Sequence, residues 1–273
     1  MASGLRRPLD AEWTRWFHTN IARGCALEEL KGILRREGFS ERSIVDALQS
    51  APPVGGVVPV PAGAPALPPP ANLAVANALR HGVGKAELYV MDDFLDAAEC
   101  AGIVRLIRAQ LRPSTITAPP GGPYDNTFRT SRTCDLSDEL PEVAQLDAKI
   151  CAAIGFDKSL AEPTQGQHYE IGQVFKTHTD FFKPYEIQGY TMGNLGQRTW
   201  TFMIYLNDVE AGGATRFKVI DKLFRPETGK LVCWNNHRPD GSLNPATLHH
   251  GMKVRKGTKY VITQWYRERP WGW

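Results

Sequence analysis

The residues best suited to chemistry are a histidine and an aspartate two positions apart, His178 and Asp180. Successive side chains of an extended strand alternate between its faces, so these two would project from the same face. An imidazole beside a carboxylate supplies two of the three ligands in the 2-His-1-carboxylate arrangement that binds non-haem Fe(II). In a chain with 7 histidines, a chance His-x-Asp is expected roughly 0.3 to 0.4 times. The pair alone therefore fits a surface loop as well as a metal site.

A third ligand is available about 70 residues later, where His249 and His250 are adjacent in the chain. This stretch ends a strand candidate over residues 247–250 and could return to the mouth of the same β-barrel. Lys259 begins a further strand in which alternation places it on one face with Thr263 and Trp265. A lysine that faces a barrel interior is unfavourable unless an anion pairs with it. A dicarboxylate co-substrate that also chelates the metal would supply that anion, which strengthens the iron hypothesis.

The composition is that of an ordinary globular protein, with 42% hydrophobic and 22% charged residues. A net charge of +3 is too small to indicate nucleic-acid binding. No segment approaches the 18 or so apolar residues of a membrane span, and the N-terminus lacks a signal-peptide core. The 5 cysteines are scattered, without a C-x-x-C motif, as expected of reduced thiols. We therefore expect a cytoplasmic protein that binds neither nucleic acid nor membranes.

Residues 1–50 carry three short amphipathic helical patterns, the first and third preceded by the capping residues Asp10 and Ser40. Gly24 is the expected end of the first helix. The helix count and loop lengths loosely resemble those of small ubiquitin-associated-type three-helix domains. Two interpretations remain open: a docking module for a partner or substrate, and a helical appendage that only packs on the main domain.

Residues 51–72 contain eight prolines among alanine, glycine and valine. This composition favours extended polyproline II and cannot build a core, so it predicts a linker. The remaining chain, residues 73–273, is then a separate domain.

The second domain begins with a strand candidate over 87–91 and two helices. The first follows a capping box formed by Asp96 and Glu99, and the second covers 140–154. Long loops over 112–133 and 181–197 are expected to be lids. Short strands follow over 199–207, 230–234, 247–250 and 259–266. Helices first and short strands afterwards predict an α+β fold, with a closed or sandwiched antiparallel β core that helices support on one side.

Residues 86–269 resemble the Fe(II)- and 2-oxoglutarate-dependent prolyl 4-hydroxylases of the double-stranded β-helix (jelly-roll) fold. The resemblance depends on the order and spacing of many short motifs. They are Asp93-Phe94-Leu95, Glu99-Cys100, Arg129-Thr130-Ser131, Tyr169-x-x-Gly172-x-x-Phe175-x-x-His178-x-Asp180, Arg198-Thr199-x-Thr201-x-x-x-Tyr205-Leu206-Asn207-Asp208-Val209, Gly212-Gly213-x-Thr215-x-Phe217, His249-x-Gly251, Gly257-Thr258-Lys259 and Trp265.

The resemblance implies a role for each matching residue. The iron ligands would be His178, Asp180 and His249, with His250 as the competing third ligand. Lys259 would pair with the distal carboxylate of 2-oxoglutarate, and Tyr169, Thr215 and Tyr205 would assist in binding it. Arg198, Trp265 and Arg129 would bind the substrate. His168 is expected to be structural.

Two features depart from the family pattern. Met252-Lys253 stand where the family usually has Cys-Pro. Strict alternation also puts Arg198 on the strand face opposite to Tyr205, so a substrate contact from Arg198 requires a bulge or twist.

The resemblance implies Fe(II), 2-oxoglutarate and O2 as cofactor and co-substrates, with ascorbate as a reductant. The predicted reaction is hydroxylation of prolyl residues in a peptide or protein, with release of succinate and CO2. One alternative is hydroxylation of a free amino acid or another small molecule. Another is a non-catalytic or zinc-binding β-barrel in which the helical module binds a partner.

Overall fold

The computed structural model describes residues 7–22, 25–51, 78–115, 127–183 and 195–270. Gly24 and nearly all of the predicted linker lie outside these residues. So do the central parts of the two predicted lids, residues 116–126 and 184–194. The described ends of the first lid, however, are strands that pair with each other, Arg112 opposite Thr133.

The N-terminal module contains three helices with a core of their own: α1 (Ala11–Ala22), α2 (Leu27–Arg36) and α3 (Glu41–Gln49). The predicted caps are present, because Asp10 Oδ1 accepts from the Trp13 amide at 2.8 Å and Ser40 Oγ accepts from the Ser43 amide at 3.2 Å. The buried side chains that hold the helices together are Trp13, Trp16, Phe17, Leu30, Ile33, Leu34, Phe39 and Ile44.

The module is attached to the second domain through α1 and the residues that follow it. Thr115 Oγ1 donates to Asn20 Oδ1 at 2.7 Å, and Cys25 Sγ lies 3.3 Å from the same hydroxyl. The buried guanidinium of Arg112 pairs with Glu12 and lies 4.4 Å from the centre of the Trp13 ring. These contacts pack the module on the main domain, and they are compatible with both interpretations of its role. A partner for its exposed surface stays a prediction.

Two antiparallel sheets form the core of the second domain, as the predicted jelly roll requires. The major sheet has the order β1 (Leu79–His81), β2 (Leu88–Met91), β11 (Leu231–Asn235), β7 (Arg198–Tyr205), β14 (Lys259–Arg267), β5 (Gln165–Tyr169), β4 (Arg132–Asp135) and β3 (Arg112–Pro113). The minor sheet has the order β10 (Lys222–Phe224), β9 (Thr215–Phe217), β12 (His249–Gly251) and β6 (Phe175–His178). A separate pair is formed by β13 (Val254–Lys256) and β8 (Ala211–Gly212).

Two helices, α4 (Ala97–Gln110) and α5 (Pro141–Ile154), cover the outer face of the major sheet. The capping box is formed as predicted, with Glu99 N to Asp96 Oδ1 at 2.8 Å and Asp96 N to Glu99 Oε2 at 2.7 Å. The α4 and α5 residues Ile107 and Leu146 belong to one buried cluster with Trp200, Phe202 and Ile204 of β7. The fold is therefore α+β, with helices on one side of the sandwich.

Alternation along β7 decides what faces the interior between the sheets. Trp200, Phe202 and Ile204 pack under the helices, whereas Met203 and Tyr205 pack between the sheets with Phe217, Trp234 and Val261. Strand β7 therefore supplies one wall of the inner cavity.

One predicted strand is shorter than expected. The stretch 247–250 begins in a 3-10 turn over Pro245–Thr247, and the strand covers only His249–Gly251. Asn244 Oδ1 caps this turn by accepting from the Ala246 amide at 3.0 Å. The local cap and Pro245 thus override the strand pattern before His249.

Among the described residues, none of the helices combines the length and the apolar character that a membrane crossing needs.

Candidate metal centre

His178, Asp180 and His249 meet at one end of the minor sheet. His178 ends β6 and His249 begins β12, and the two residues are direct partners in the antiparallel register. One donor atom from each of the three residues lies within 4.8 Å of the others. Asp180 Oδ1 lies 3.5 Å from His178 Nε2 and 3.9 Å from His249 Nε2. This donor set matches the 2-His-1-carboxylate arrangement in type and number.

The backbone holds both imidazoles in one tautomer. His178 Nδ1 lies 2.7 Å from the Lys176 carbonyl oxygen, and His249 Nδ1 lies 2.8 Å from the Thr247 carbonyl oxygen. Because a carbonyl oxygen only accepts, each Nδ1 carries the proton and each Nε2 presents its lone pair. The Phe175 ring stacks on His178 with the ring centres 3.7 Å apart. Both potential ligands are thus oriented through their second nitrogen and by packing.

His250 is turned away from this cluster. It lines a separate groove on the outer side of the minor sheet, whereas His249 lines the inner cavity with His178 and Asp180. Neighbouring strand residues face opposite ways, so only one of the two adjacent histidines can reach the interior.

The protonation states suit a cation. Burial, together with the neighbouring His249, lowers the pKa of His178 to about 3, so this imidazole is neutral near pH 7. Burial alone would raise the pKa of Asp180, but His249, His178 and Arg198 outweigh it, and the pKa is lowered. A neutral imidazole at His178 and a charged carboxylate at Asp180 are the protonation states in which these two groups bind a divalent metal.

A chain of hydrogen bonds fixes the carboxylate of Asp180. Thr201 Oγ1 donates to Asp180 Oδ2 at 2.7 Å, and Asn236 Nδ2 donates to Thr201 Oγ1 at 3.0 Å. Both supporting side chains are fully buried. Thr201 belongs to the motif that begins at Arg198, whereas Asn236 carries no sequence signal and reaches the site only because β11 is the neighbour of β7.

Lys259 projects into the same cavity from β14. Its Nζ lies 5.0 Å from the centre of the Tyr169 ring and 5.2 Å from that of Tyr205. Burial lowers its pKa to about 7. Within the described ranges, no carboxylate lies at ion-pair distance from Lys259. A buried amine without a carboxylate partner is the group expected at one end of an anion-binding site.

The remaining predicted co-substrate residues surround this lysine. Tyr169 and Thr215 line the cavity with Lys259. The Tyr205 hydroxyl lies 2.7 Å from Thr215 Oγ1 and 3.1 Å from the Phe224 carbonyl, and burial raises its pKa. The Tyr169 hydroxyl donates to Gln167 Oε1 at 2.8 Å. Tyr205 therefore supports Thr215 from behind, while Thr215 faces the interior.

Arg198 belongs to a buried ion-pair network that the sequence did not indicate. Its Nε and Nη2 each donate to the Glu162 carboxylate at 2.7 Å, and Arg267 Nη1 reaches the same carboxylate at 3.1 Å. The guanidinium also lies 4.0 Å from the centre of the Trp265 ring, which lines the cavity. A register shift between Tyr266 and Arg267, opposite Arg198, brings Arg198 to this side of the sheet. Its contact with a substrate stays a prediction.

Arg129 and His168 lie outside the cavity wall. Arg129 Nη2 donates to Gln165 Oε1 at 2.7 Å, and its guanidinium lies 4.6 Å from the centre of the Phe175 ring. It therefore backs the aromatic ring that stacks on His178, and its predicted substrate contact is not tested by this arrangement. The His168 ring stacks on Tyr260 with centres 4.5 Å apart, in agreement with a structural role.

The fold and the His-Asp-His cluster define a class of protein. Residues 164–267 match the family model of the 2OG-Fe(II) oxygenase superfamily, where 2OG is 2-oxoglutarate. Curated proteins that are similar to this chain include prolyl 4-hydroxylases. The chain is 32% identical over 179 residues to human prolyl 4-hydroxylase subunit alpha-1, which covers 65% of this chain and 34% of that protein.

A plant protein and a solved structure are also similar to this chain. Prolyl 4-hydroxylase 13 of Arabidopsis thaliana is 26% identical over 213 residues, covering 71% of this chain and 76% of the plant protein. The viral collagen prolyl hydroxylase of Paramecium bursaria Chlorella virus-1, in its 2OG complex, aligns with a TM-score of 0.50 and 23% identity. That alignment covers 68% of this chain and 98% of the viral chain and supports the fold. The chain spans only about a third of the length of human prolyl 4-hydroxylase subunit alpha-1.

Proposed function

We propose that this protein is an Fe(II)- and 2-oxoglutarate-dependent dioxygenase that hydroxylates prolyl residues in a peptide or protein. One observation carries the proposal: a metal-type donor set and a buried lysine without a carboxylate partner in the described chain face one cavity. The metal would bind one end of 2-oxoglutarate and Lys259 the other. The names of the curated relatives support proline as the target.

His178 Nε2, His249 Nε2 and Asp180 Oδ1 would hold the iron. Three protein ligands leave other coordination positions for small molecules. The bound metal, with 2-oxoglutarate and O2, supplies the oxidation: 2-oxoglutarate is converted to succinate and CO2, and one oxygen atom enters a C–H bond of the substrate. Thr201 holds Asp180 Oδ2, so that Oδ1 alone is directed at the metal position. Ascorbate is the proposed reductant.

Lys259 would anchor the distal carboxylate of the co-substrate, with Thr215 Oγ1 as a neighbouring donor and Tyr169 and Tyr205 around it. A bound carboxylate favours the charged amine and would raise its pKa from about 7. The flexible side chain of Met203 lines the same cavity.

The proline ring would pack on Trp265, whose indole lines the cavity. Glu162 holds Arg198 by two hydrogen bonds, which keeps the guanidinium of Arg198 over that indole, 4.0 Å from the ring centre. Arg198 Nη1 would then donate to a peptide carbonyl beside the proline. Arg129 would act on the substrate indirectly, through the ring of Phe175 that it contacts.

Two alternatives lead to different products. Hydroxylation of a free amino acid would use the same iron and co-substrate but would not depend on peptide length. A zinc-binding, non-catalytic barrel would leave Lys259 buried without a function, which disfavours it.

The test measures succinate formation from 2-oxoglutarate with Fe(II), with and without proline-rich peptides, and the mass of the peptide product. His178→Ala and His249→Ala should abolish turnover, whereas the matched change His250→Ala, outside the cavity, should retain it. Failure of every peptide to stimulate succinate release, or equal loss in all three variants, would reject the proposal. Stimulation by free proline but not by peptides would favour the small-molecule alternative.

A further inference from the structure

A second, larger depression lies beside the candidate metal cavity. This groove has a volume of about 1000 Å³, at the upper end of the roughly 300–1,000 Å³ of small-molecule pockets. Its walls come from β6, the β8–β9 segment, the chain after β10 and the β12–β13 segment. It shares the wall residues Phe175 and Gly251 with the cavity. The groove is therefore large enough for several residues of an extended chain.

The groove is electropositive. Arg225, Lys253 and Arg255 are exposed on its walls, and none of the three has an ion-pair partner among the residues that the structure describes. Lys176 also lines the groove, and its ammonium donates to the Thr127 hydroxyl at 2.7 Å.

The two acidic residues of the groove do not neutralise these cations. Glu210 pairs with Lys256 at 2.6 Å, and Glu227 pairs with Lys230 at 2.6 Å. Both lysines lie outside the groove lining. The positive charge of the walls is thus available to a ligand.

The rest of the lining favours a peptide over a uniformly charged polymer. Apolar side chains lie between the cations, and one of them, Leu223, is 47% exposed. A segment that alternates acidic and apolar residues matches both features. The apolar members of the lining are Val174, Val209, Leu223, Pro226 and Met252.

We propose that this groove docks an acidic segment of the protein substrate, next to the proline that is hydroxylated. The inference rests on the proposed prolyl hydroxylation and adds a substrate class to it. Phe175 separates the groove from the metal centre, since its ring stacks on His178 with centres 3.7 Å apart. A docked segment would therefore lie one side chain away from the site.

Binding is tested on the full chain without any turnover. The probe is a fluorescein-labelled peptide of alternating glutamate and leucine without proline, followed by fluorescence anisotropy. We compare Arg225→Glu/Lys253→Glu/Arg255→Glu with a control that changes net charge equally at exposed arginines elsewhere, Arg42→Glu/Arg80→Glu/Arg105→Glu. The groove variant should bind about tenfold more weakly and the control within about twofold of wild type. Binding by the wild type should weaken as salt is raised.

Equal losses of affinity for the peptide in the two variants would show a general charge effect and would overturn the proposal that the groove docks the peptide. Tighter binding of a single-stranded oligonucleotide of the same charge would overturn the peptide as ligand.

Hydroxylation assays then separate the two proposals. For a proline peptide with an acidic flank, the groove variant should raise KM about tenfold and leave kcat unchanged. For the same peptide with a neutral flank, both constants should be unchanged. Binding of the acidic probe without hydroxylation of any peptide would reject the enzyme function and leave the docking site standing. Hydroxylation with equal KM in the groove variant and wild type would reject the docking site alone.

Discussion

Thr201 Oγ1 donates a hydrogen bond to Asp180 Oδ2 at 2.7 Å, and the other carboxylate oxygen faces His178 and His249. The bond joins segments of the two sheets. Thr201 lies in the middle of β7 in the major sheet, and Asp180 lies just after β6 of the minor sheet. The bond directs one oxygen toward the candidate metal position and keeps the second occupied. Asn236 extends the chain of hydrogen bonds by donating to Thr201.

Thr201→Val should weaken metal binding, because it keeps the shape of the side chain but removes the donor to Asp180. We expect metal affinity to fall about 10- to 100-fold, as for other groups that orient a ligand. Calorimetric titration with Fe(II) under anaerobic conditions measures this directly. Thr201→Ser, which keeps the hydroxyl, is the matched control and should bind nearly as wild type. Unchanged Fe(II) affinity in Thr201→Val would contradict the role of Thr201 in orienting Asp180.

Lys259 should make co-substrate binding depend on pH. The folded pKa of about 7 means that the amine loses its charge as the pH rises above 7. The apparent KM for 2-oxoglutarate should therefore rise between about pH 7 and pH 9. In Lys259→Arg the positive charge persists, so the apparent KM for 2-oxoglutarate should not change with pH over this range. Lys259→Met should lose 2-oxoglutarate binding while retaining the metal. A flat wild-type profile together with full binding in the methionine variant would contradict the role.

The same lysine should affect stability. Burial lowers the pKa of Lys259 from its ordinary value of 10.5 to about 7 in the folded state. Between about pH 7 and 10.5 the unfolded chain therefore holds a proton that the folded chain has lost. The unfolding free energy should consequently rise with pH across this window, and the destabilising effect of the buried charge should be complete below about pH 7. Urea unfolding at pH 6.5 and pH 9 measures it. Lys259→Met should lack this contribution, and an equal pH dependence in both proteins would contradict the prediction.

Glu162→Gln should destabilise the fold strongly. Glu162 is fully buried between Arg198 and Arg267, and its loss leaves two buried guanidinium groups without their carboxylate. Breaking a buried pair in this way costs about 3–5 kcal/mol. The matched change Glu29→Gln removes a partner from a more exposed pair with Arg36 and should cost about 1 kcal/mol or less. Equal unfolding free energies of the two variants in urea would contradict the prediction.

Thr115→Val should loosen the helical module. It removes the hydrogen bond to Asn20 across the junction and leaves the Asn20 amide oxygen without that donor. The expected loss is about 1–2 kcal/mol of unfolding free energy, together with faster proteolysis of the N-terminal helices. Thr19 is buried in α1 beside Asn20. The control variant Thr19→Val leaves the hydrogen bond between Thr115 and Asn20 intact.

Local sequence patterns were sufficient for much of the architecture. The Asp96–Glu99 capping box, the module helices and the alternating strand β7 depend on residues a few positions apart, so their signals lie within a short window. The candidate donor set was also predictable, since His178 and Asp180 are two positions apart in the chain and Lys259 stands out as a charge in an apolar strand. The predicted strand was too long, however, because β6 ends at His178 and Asp180 lies just beyond it. The structure brings all three to one cavity with His249.

Tertiary structure alone decided the rest. Whether His249 or His250 faces the interior depends on the register of β12 against β6, and a slip of one residue would exchange them. Asn236 reaches Thr201 across neighbouring strands, and Glu162 meets Arg267 from 105 residues away. No short window contains such pairs, because strand order and register, rather than distance along the chain, determine which side chains meet.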